Sequence, residues 1–399
     1  MIVYPLTRRA SEEKKDSSPA RRANKNVVMP RPLNILVSGM IAGDPHQGGA
    51  TWAVLQYVLG LQRLGHHVIL LEPARNERVI HNDDVMRYFG NVVEEFSLLA
   101  ALLLPEGIAD CYDMVTNGKP IDILFNVSGM LTDESLLQRI PIRVYLDLDP
   151  AFIQCWHVQG IDMHLDAHTH FVTVGQGIGT PSCPVQTCGR EWIPTLPPVV
   201  LERWPVAKCD DSGAFTTIAN WRGYGSVTHG GVFYGQKAHS LRKFIELPTR
   251  TIQRIAPAIA IHPGDTADVQ ALNANGWQVQ SPTDVAGDPT SYQRFIQSSK
   301  AELGIAKLGY VASRCGWFSD RSAVYLASGR PVLAQNTGFD AYLPTGEGLL
   351  SFDTLDNILA GIDAINSDYS RHRKAARAIA EEHFDSDRVL TRLLGRVGL

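Results

Sequence analysis

Gly316-Trp317-Phe318-Ser319-Asp320-Arg321-Ser322-Ala323-Val324-Tyr325-Leu326-Ala327-Ser328-Gly329-Arg330-Pro331-Val332 reads as a turn, a short helix, a glycine stop and the start of a strand. Ser319 or Asp320 can cap the helix, and Gly329-Arg330-Pro331 ends it and opens the strand. A helix N-terminus attracts anions, and Arg321 in the first turn adds charge-assisted bonds, so Asp320, Arg321 and Ser322 suit a pyrophosphate. Asp320 could also accept ribose hydroxyls. Asn336-Thr337-Gly338-Phe339 closes the strand, and Thr337 and Gly338 bring backbone N–H groups toward the same place.

The alternation extends in both directions. Strands are predicted over residues 214–219, 258–262, 277–280, 302–305 and 331–334, with helices over 322–328, 355–365 and 370–394. Toward the N-terminus, a strand at 33–38 leads into a glycine-rich loop at 39–49. A helix over 50–64 follows, with Trp52, Leu55 and Leu59 on one face, and Gly65 caps it. Further strands are read at 67–71, 121–127, 142–146 and 171–174. Strands alternating with helices imply parallel sheets covered on both faces. The fold class is α/β, with two Rossmann-like parallel-sheet domains facing across a cleft. Residues 180–211, with the run Pro194-Thr195-Leu196-Pro197-Pro198, join the domains. The boundaries expected are 33–198 for the first domain, 199–212 for the linker and 213–375 for the second. A C-terminal helix, 376–399, is placed so as to pack back on the first domain.

The 399 residues are 44% hydrophobic and 20% charged, with a net charge of −4. That charge argues against a nucleic-acid binder. Residues 1–32 differ, with eight Lys/Arg against three Asp/Glu and no periodicity. They read as a disordered basic tail, either one that docks on an anionic surface or a stretch preceding a true start at Met29. No apolar run reaches membrane-spanning length, and no signal-peptide core is present. Cys111, Cys155, Cys183, Cys188, Cys209 and Cys315 form no zinc-like spacing. They read as reduced thiols of a cytoplasmic protein, with a Cys183–Cys188 disulfide as the alternative.

Three further stretches carry candidate chemistry. Gly39 to Gly49 is not a G-x-G-x-x-G dinucleotide fingerprint, which leaves a nicotinamide-dependent dehydrogenase a distant third reading. Its glycines, Gly48 and Gly49 among them, let backbone approach a ligand closely, or serve packing alone. His46 on this loop is a candidate base. Tyr145-Leu146-Asp147-Leu148-Asp149-Pro150 ends a strand. Asp147 and Asp149 suit base chemistry or hydroxyl recognition, or a divalent cation, or Asp149 caps a helix with Pro150 at its first position. Asn220-Trp221-Arg222-Gly223-Tyr224-Gly225, then Tyr234-Gly235-Gln236-Lys237, offers Arg222 and Lys237 as a diphosphate clamp. His262 at a strand end and residues 277–281 offer aromatic and backbone groups that could read a nucleobase, with core packing as the other reading of Trp277.

The helix ending Ala327-Ser328-Gly329-Arg330-Pro331-Val332 resembles the "Ala-x-Gly-x-Pro-Val" of GT-B glycosyltransferases of group 1, and is similar to the spore-maturation-type subset with its Arg-bearing helix. Gly48-Gly49 and Leu64-Gly65-His66-His67-Val68 resemble the opening of the same family. The resemblance covers residues 303–390 clearly and 33–71 more weakly. It implies hexosyl transfer from a nucleotide sugar, a UDP-sugar foremost, to an acceptor small molecule or glycan. Cationic side chains would serve the leaving diphosphate, with no metal and no separate cofactor. The chain departs from the retaining members' pair of glutamates: Gly316 and Val324 stand at those positions. A non-catalytic nucleotide- or sugar-binding paralogue and a sugar-nucleotide epimerase are the alternatives.

Overall fold

The computed structural model describes residues 2–4, 31–74, 79, 81–103, 113, 116–208 and 212–399. The first sheet holds β1 (Ile2–Tyr4), β2 (Asn34–Ser38), β3 (His67–Pro73), β4 (Leu99–Leu103), β5 (Ile123–Val127), β6 (Ile142–Asp147), β7 (His170–Thr173) and β8 (Trp192–Pro194). Their order is β1-β4-β3-β2-β5-β6-β7-β8. All are parallel except β1, which pairs antiparallel with β4. Ile2–Tyr4 are therefore an edge strand, a correction to the reading of the first 32 residues as disordered. Residues 1 and 5–30 of that stretch lie outside the described residues. Ile35, Leu36 and Val37 of β2 are at most 1% exposed, as expected of a strand covered on both faces.

The second sheet is built from β9 (Phe215–Thr216), β10 (Ile218–Asn220), β13 (Ala258–Ala260), β14 (Ala301–Gly304), β15 (Val332–Gln335) and β16 (Leu349–Phe352). The predicted strand at 214–219 is divided at Thr217. Its first part pairs with β14 and its second with β13, so the sheet runs through both. Between β10 and β13 comes a hairpin, β11 (Val227–His229) and β12 (Val232–Tyr234). Gly230 and Gly231, both at positive φ, form its two-residue turn. The predicted strand at 277–280 is absent except for a bridge from Gln280 to Ala258. Gly276, at φ 81°, turns the chain, and Trp277 packs into the core with Nε1 donating to Ile245 O at 2.7 Å.

Each sheet changes direction once, between β2 and β5 in the first and between β9 and β14 in the second. Ligands in such sheets bind beyond the carboxyl ends at those switch points. Residues beyond β2, β10 and β14 line one cavity.

The joining segment is shorter and tighter than its composition implies. Trp192–Pro194 belongs to the first sheet, so residues 180–194 are not linker. Trp204, fully buried, lies 5.0 Å from the Trp52 ring. The C-terminal helix is interrupted: Tyr369–Ile379 gives way to a wide turn at Ala380–Phe384, and Ser386–Arg396 begins anew. The crossing chain causes the break, for Val199 N donates to Phe384 O and Ser386 N to Val199 O. Ser386–Arg396 packs on the first helix, Gly48–Arg63, with Arg63 bonded to Asp387 at 2.8 Å. Cys155, Cys183, Cys188 and Cys315 are free thiols, while Cys111 and Cys209 lie outside the described residues. No helix among the described residues is long and apolar enough to cross a membrane.

The contact of the last helix rests on Gly60. A Cβ there would sit 2.5 Å from Leu390 Cδ1 and 3.0 Å from Ser386 Cβ. Gly60→Val is expected to cost about 1–3 kcal/mol by overpacking. The double variant with Leu390→Ala should recover part of that loss, read from thermal or denaturant unfolding.

Candidate active site

A cavity of about 620 Å³ lies between the two domains. The loop after β2 and Asp149 after β6 form one side. Asn220, Tyr224, Lys237, Lys307, Asp320 and Arg321 form the other.

The loop after β2 is held from beneath by Glu72, at the end of β3. Its two oxygens accept from Ile41 N at 2.7 Å and Ala42 N at 2.6 Å. Burial pushes this carboxyl up to about 7, against the pull of the two amides. Gly39 must be glycine here, since a Cβ would meet Glu72 Oε1 at 2.9 Å. His46 sits at the loop's turn with φ 59° and lines the cavity. Its Nε2 is 2.6 Å from Asp84 Oδ2. With Nε2 donating to that carboxylate, Nδ1 keeps a lone pair. The hydrogen bond from His46, then that from Arg87, holds the Asp84 carboxyl below its usual range.

Gly48 and Gly49 line the cavity, and both also bring the domains together. A Cβ on Gly48 would lie 2.4 Å from Asp288 O, and one on Gly49 2.9 Å from Tyr292 Cε2. Trp52 Nε1 donates to Pro289 O at 2.9 Å just beyond. Close packing against the second domain is the observed reason for these glycines.

Asp147 and Asp149 have separate duties. Asp147 is fully buried, away from the cavity, and accepts from Gln154, Thr173 and the Asp149 amide. Burial drives its carboxyl up to about 7. It is a brace for the turn rather than a group that meets an acceptor, which corrects its reading as a base. Asp149 does line the cavity, and it does not cap a helix. The following helix starts only at Phe152, after Ala151 at φ 74°. Lys307 Nζ lies 2.6 Å from Asp149 Oδ1, and the hydroxyls of Tyr224 and Tyr310 donate to the same oxygen. Burial would raise the Asp149 carboxyl, but Lys307 and the two hydroxyls outweigh it and hold it below the usual range. Such a carboxylate is a weak base. Lys307 supplies the positive charge beside it.

In the second domain, Ser319, Asp320 and Arg321 line the cavity at the start of the helix Asp320–Ala327. No side chain caps that helix. Arg321 Nε donates to Glu302 Oε1 at 2.5 Å and Nη1 to Ile218 O at 2.9 Å. Glu302, fully buried, thus fixes the guanidinium at the cleft. Lys237, placed by the hairpin, is buried at the cavity wall and donates to Ile305 O. Burial, then the neighbouring Arg321, holds Lys237 well below an ordinary lysine.

The other residues singled out from the sequence fall elsewhere. Arg222 turns away to Asp265 and Asp268, at 3.3 and 3.6 Å. Ser322 is buried behind the first turn. Thr337 donates to Trp317 O, and the Gly338 amide to Asn336 Oδ1 at 2.8 Å, so both brace the loop that carries Trp317. Val324 is core and Gly316 abuts Gly177 N. The positions lacking glutamates therefore do not face the cavity, whose acidic members are Asp44, Asp149 and Asp320. Sequence reading missed Asp84, Glu72, Glu302, Lys307 and Tyr310, and assigned no role to Tyr224. Lys307 follows β14 directly, so the rule that ligands gather beyond parallel strands could have found it.

No protein-family model and no curated protein sequence matches the chain. Solved structures do. Anabaena HepE in complex with UDP and glucose superimposes with a TM-score of 0.58 at 11% identity, over 92% of this chain and 99% of that one. Sucrose-phosphate synthase from Thermosynechococcus elongatus gives 0.53 at 12% identity, over 92% and 98%. The lipopolysaccharide outer core galactosyltransferase WaaB, apo form, gives 0.50 at 11% identity, over 91% and 99%. The chain has the GT-B glycosyltransferase fold.

Asp149 and Lys307 side chains retain 29% and 21% of their exposure. Removing one partner is therefore expected to cost about 1–3 kcal/mol, less than for a fully buried pair. Asp149→Asn and Lys307→Met should each lower the unfolding midpoint, and the double variant should lose less than the sum.

Proposed function

We propose that the protein transfers a hexosyl group from a UDP-sugar to an acceptor hydroxyl. The observation that supports this most is convergence. His46, which pairs with Asp84 on the first domain, lines one cleft with Arg321, at the start of Asp320–Ala327, and the Lys237 amine on the second.

In this reading the diphosphate lies at the first turn of Asp320–Ala327. The amides there, Arg321 and Lys237 carry its charge. The uracil lies toward Ala260 and Thr283, which line the same cavity. Asp320 accepts from sugar hydroxyls. The acceptor enters over Gly48 and Gly49, with its hydroxyl at His46 Nδ1. His46 takes the hydroxyl proton as the oxygen bonds to the anomeric carbon. The bond from that carbon to the β-phosphate oxygen breaks, and UDP leaves with the electron pair. Asp84 stabilises the imidazolium. The leaving diphosphate is met by Arg321 and Lys237, with no metal required. Asp149 orders the cleft and orients the acceptor.

Calorimetric titration with UDP should show Arg321→Ala binding at least about tenfold more weakly than wild type, the loss of one charge-assisted contact. Equal affinity would remove Arg321 from the donor site. An anion beside the depressed Lys237 favours its charged form, so UDP binding above that depressed pKa should take up protons. Titrations in buffers of different ionisation enthalpy measure this uptake, which Lys237→Met should abolish. His46→Ala should leave UDP affinity unchanged. It should slow UDP release from a UDP-hexose, in the presence of a panel of polyol acceptors, by about 10²–10⁴.

A further inference from the structure

Beside the main cavity lies a smaller chamber of about 60 Å³ that shares Leu148, Trp317 and Asp320 with it. Its far wall is the first helix, where Tyr57 is 2% and Gln56 3% exposed. The Tyr57 hydroxyl and Gln56 Nε2 have no hydrogen-bond partner among the described residues. Gln56 Oε1 accepts from Val200 N at 2.7 Å, which fixes the amide so that Nε2 is its free end. Burial, with Asp320 nearby, keeps the Tyr57 phenol protonated and able to donate. Val174, Pro197 and Phe318 supply apolar wall.

Buried donors without partners are rare in native structures, and two lining one chamber point to a ligand atom. The chamber presents two donors, one carboxylate acceptor and an apolar lining. That set matches a hydroxyl carried on a methylene. The volume, at about 30 Å³ per water-sized group, holds about two non-hydrogen atoms. Asp320, at the turn where the donor diphosphate is proposed above, lines both spaces.

We propose that the chamber receives the exocyclic hydroxymethyl arm of the donor sugar, so that the protein selects a hexose over a pentose donor. The inference rests on the donor site proposed above. The arm's hydroxyl donates to Asp320 and accepts from Tyr57 and Gln56, while its methylene lies against Val174 and Phe318.

The test compares UDP, UDP-glucose and UDP-xylose by calorimetry on the full chain. UDP-xylose differs from UDP-glucose only in lacking the hydroxymethyl arm. Wild type should bind UDP-glucose on the order of tenfold more tightly than UDP-xylose. Tyr57→Phe should shrink that ratio severalfold and leave UDP affinity unchanged. Ala53→Leu, which fills the chamber from the same helix, should abolish the ratio independently. Equal binding of the two sugars by wild type, or an undiminished ratio in both variants, overturns the inference and leaves the donor site standing. Equal binding is also the result expected if the chamber holds only ordered water. No binding of UDP at all overturns both.

Discussion

The carboxylate of Asp149 and the ammonium of Lys307 meet across the cleft, and the arrangement of the site depends on that meeting. One comes from the end of β6 and the other from the end of β14, 158 residues apart. Tyr224 and Tyr310 surround the pair, and Tyr310 stacks on Trp317 at 4.3 Å. The pair satisfies two charges that burial would otherwise penalise, and it does so only when the domains are close.

Two other contacts agree with that closeness. Gly48 and Gly49 let the first helix touch Ala286–Asp288 and Tyr292 of the second domain with no side chain between. Gly175 bridges to Trp317, and Gly177 N donates to Cys315 O at 2.8 Å. The hydrophobic core continues through the joint, from Trp52 through Trp204 to Phe318 and Phe384. The cleft is thus a gap left within one packed body. This explains why buried ionisable groups collect around it: Glu72 under the loop, Asp147 under Asp149, Glu302 behind Arg321 and Lys237 in the wall. Each is held by specific donors or acceptors and positions a neighbour, which is how a site keeps its geometry before a ligand arrives.

Much of the fold was legible because local signals agreed. The stretch 316–332 becomes the helix Asp320–Ala327 and then β15, as its glycine and proline imply. The first strand, its loop and its helix fall where the apolar periods placed them. The strand at 277–280 failed because an alternating pattern that follows a left-handed glycine, Gly276, also suits a turn packed on the core. The long final helix failed because its interruption is imposed by Val199, about 185 residues earlier. In the site, Lys237 and Arg222 looked equivalent, both basic and both after the first strand of their domain. Asp265 and Asp268 distinguish them by drawing Arg222 away. His46 was found from its loop, but its partner Asp84 lies on a helix whose sequence announces nothing. Contacts made between distant stretches of the chain are not written in spacing.

The central claim is that the start of Asp320–Ala327, with Arg321 and Lys237, holds the diphosphate of a uridine nucleotide. A crystal structure of the full chain with UDP tests it most directly. The account predicts the β-phosphate within hydrogen-bond distance of Arg321, Lys237 and the first-turn amides, with the uracil toward Ala260 and Thr283. A diphosphate bound elsewhere, such as at Arg222, or a cleft left empty at saturating UDP, would contradict it.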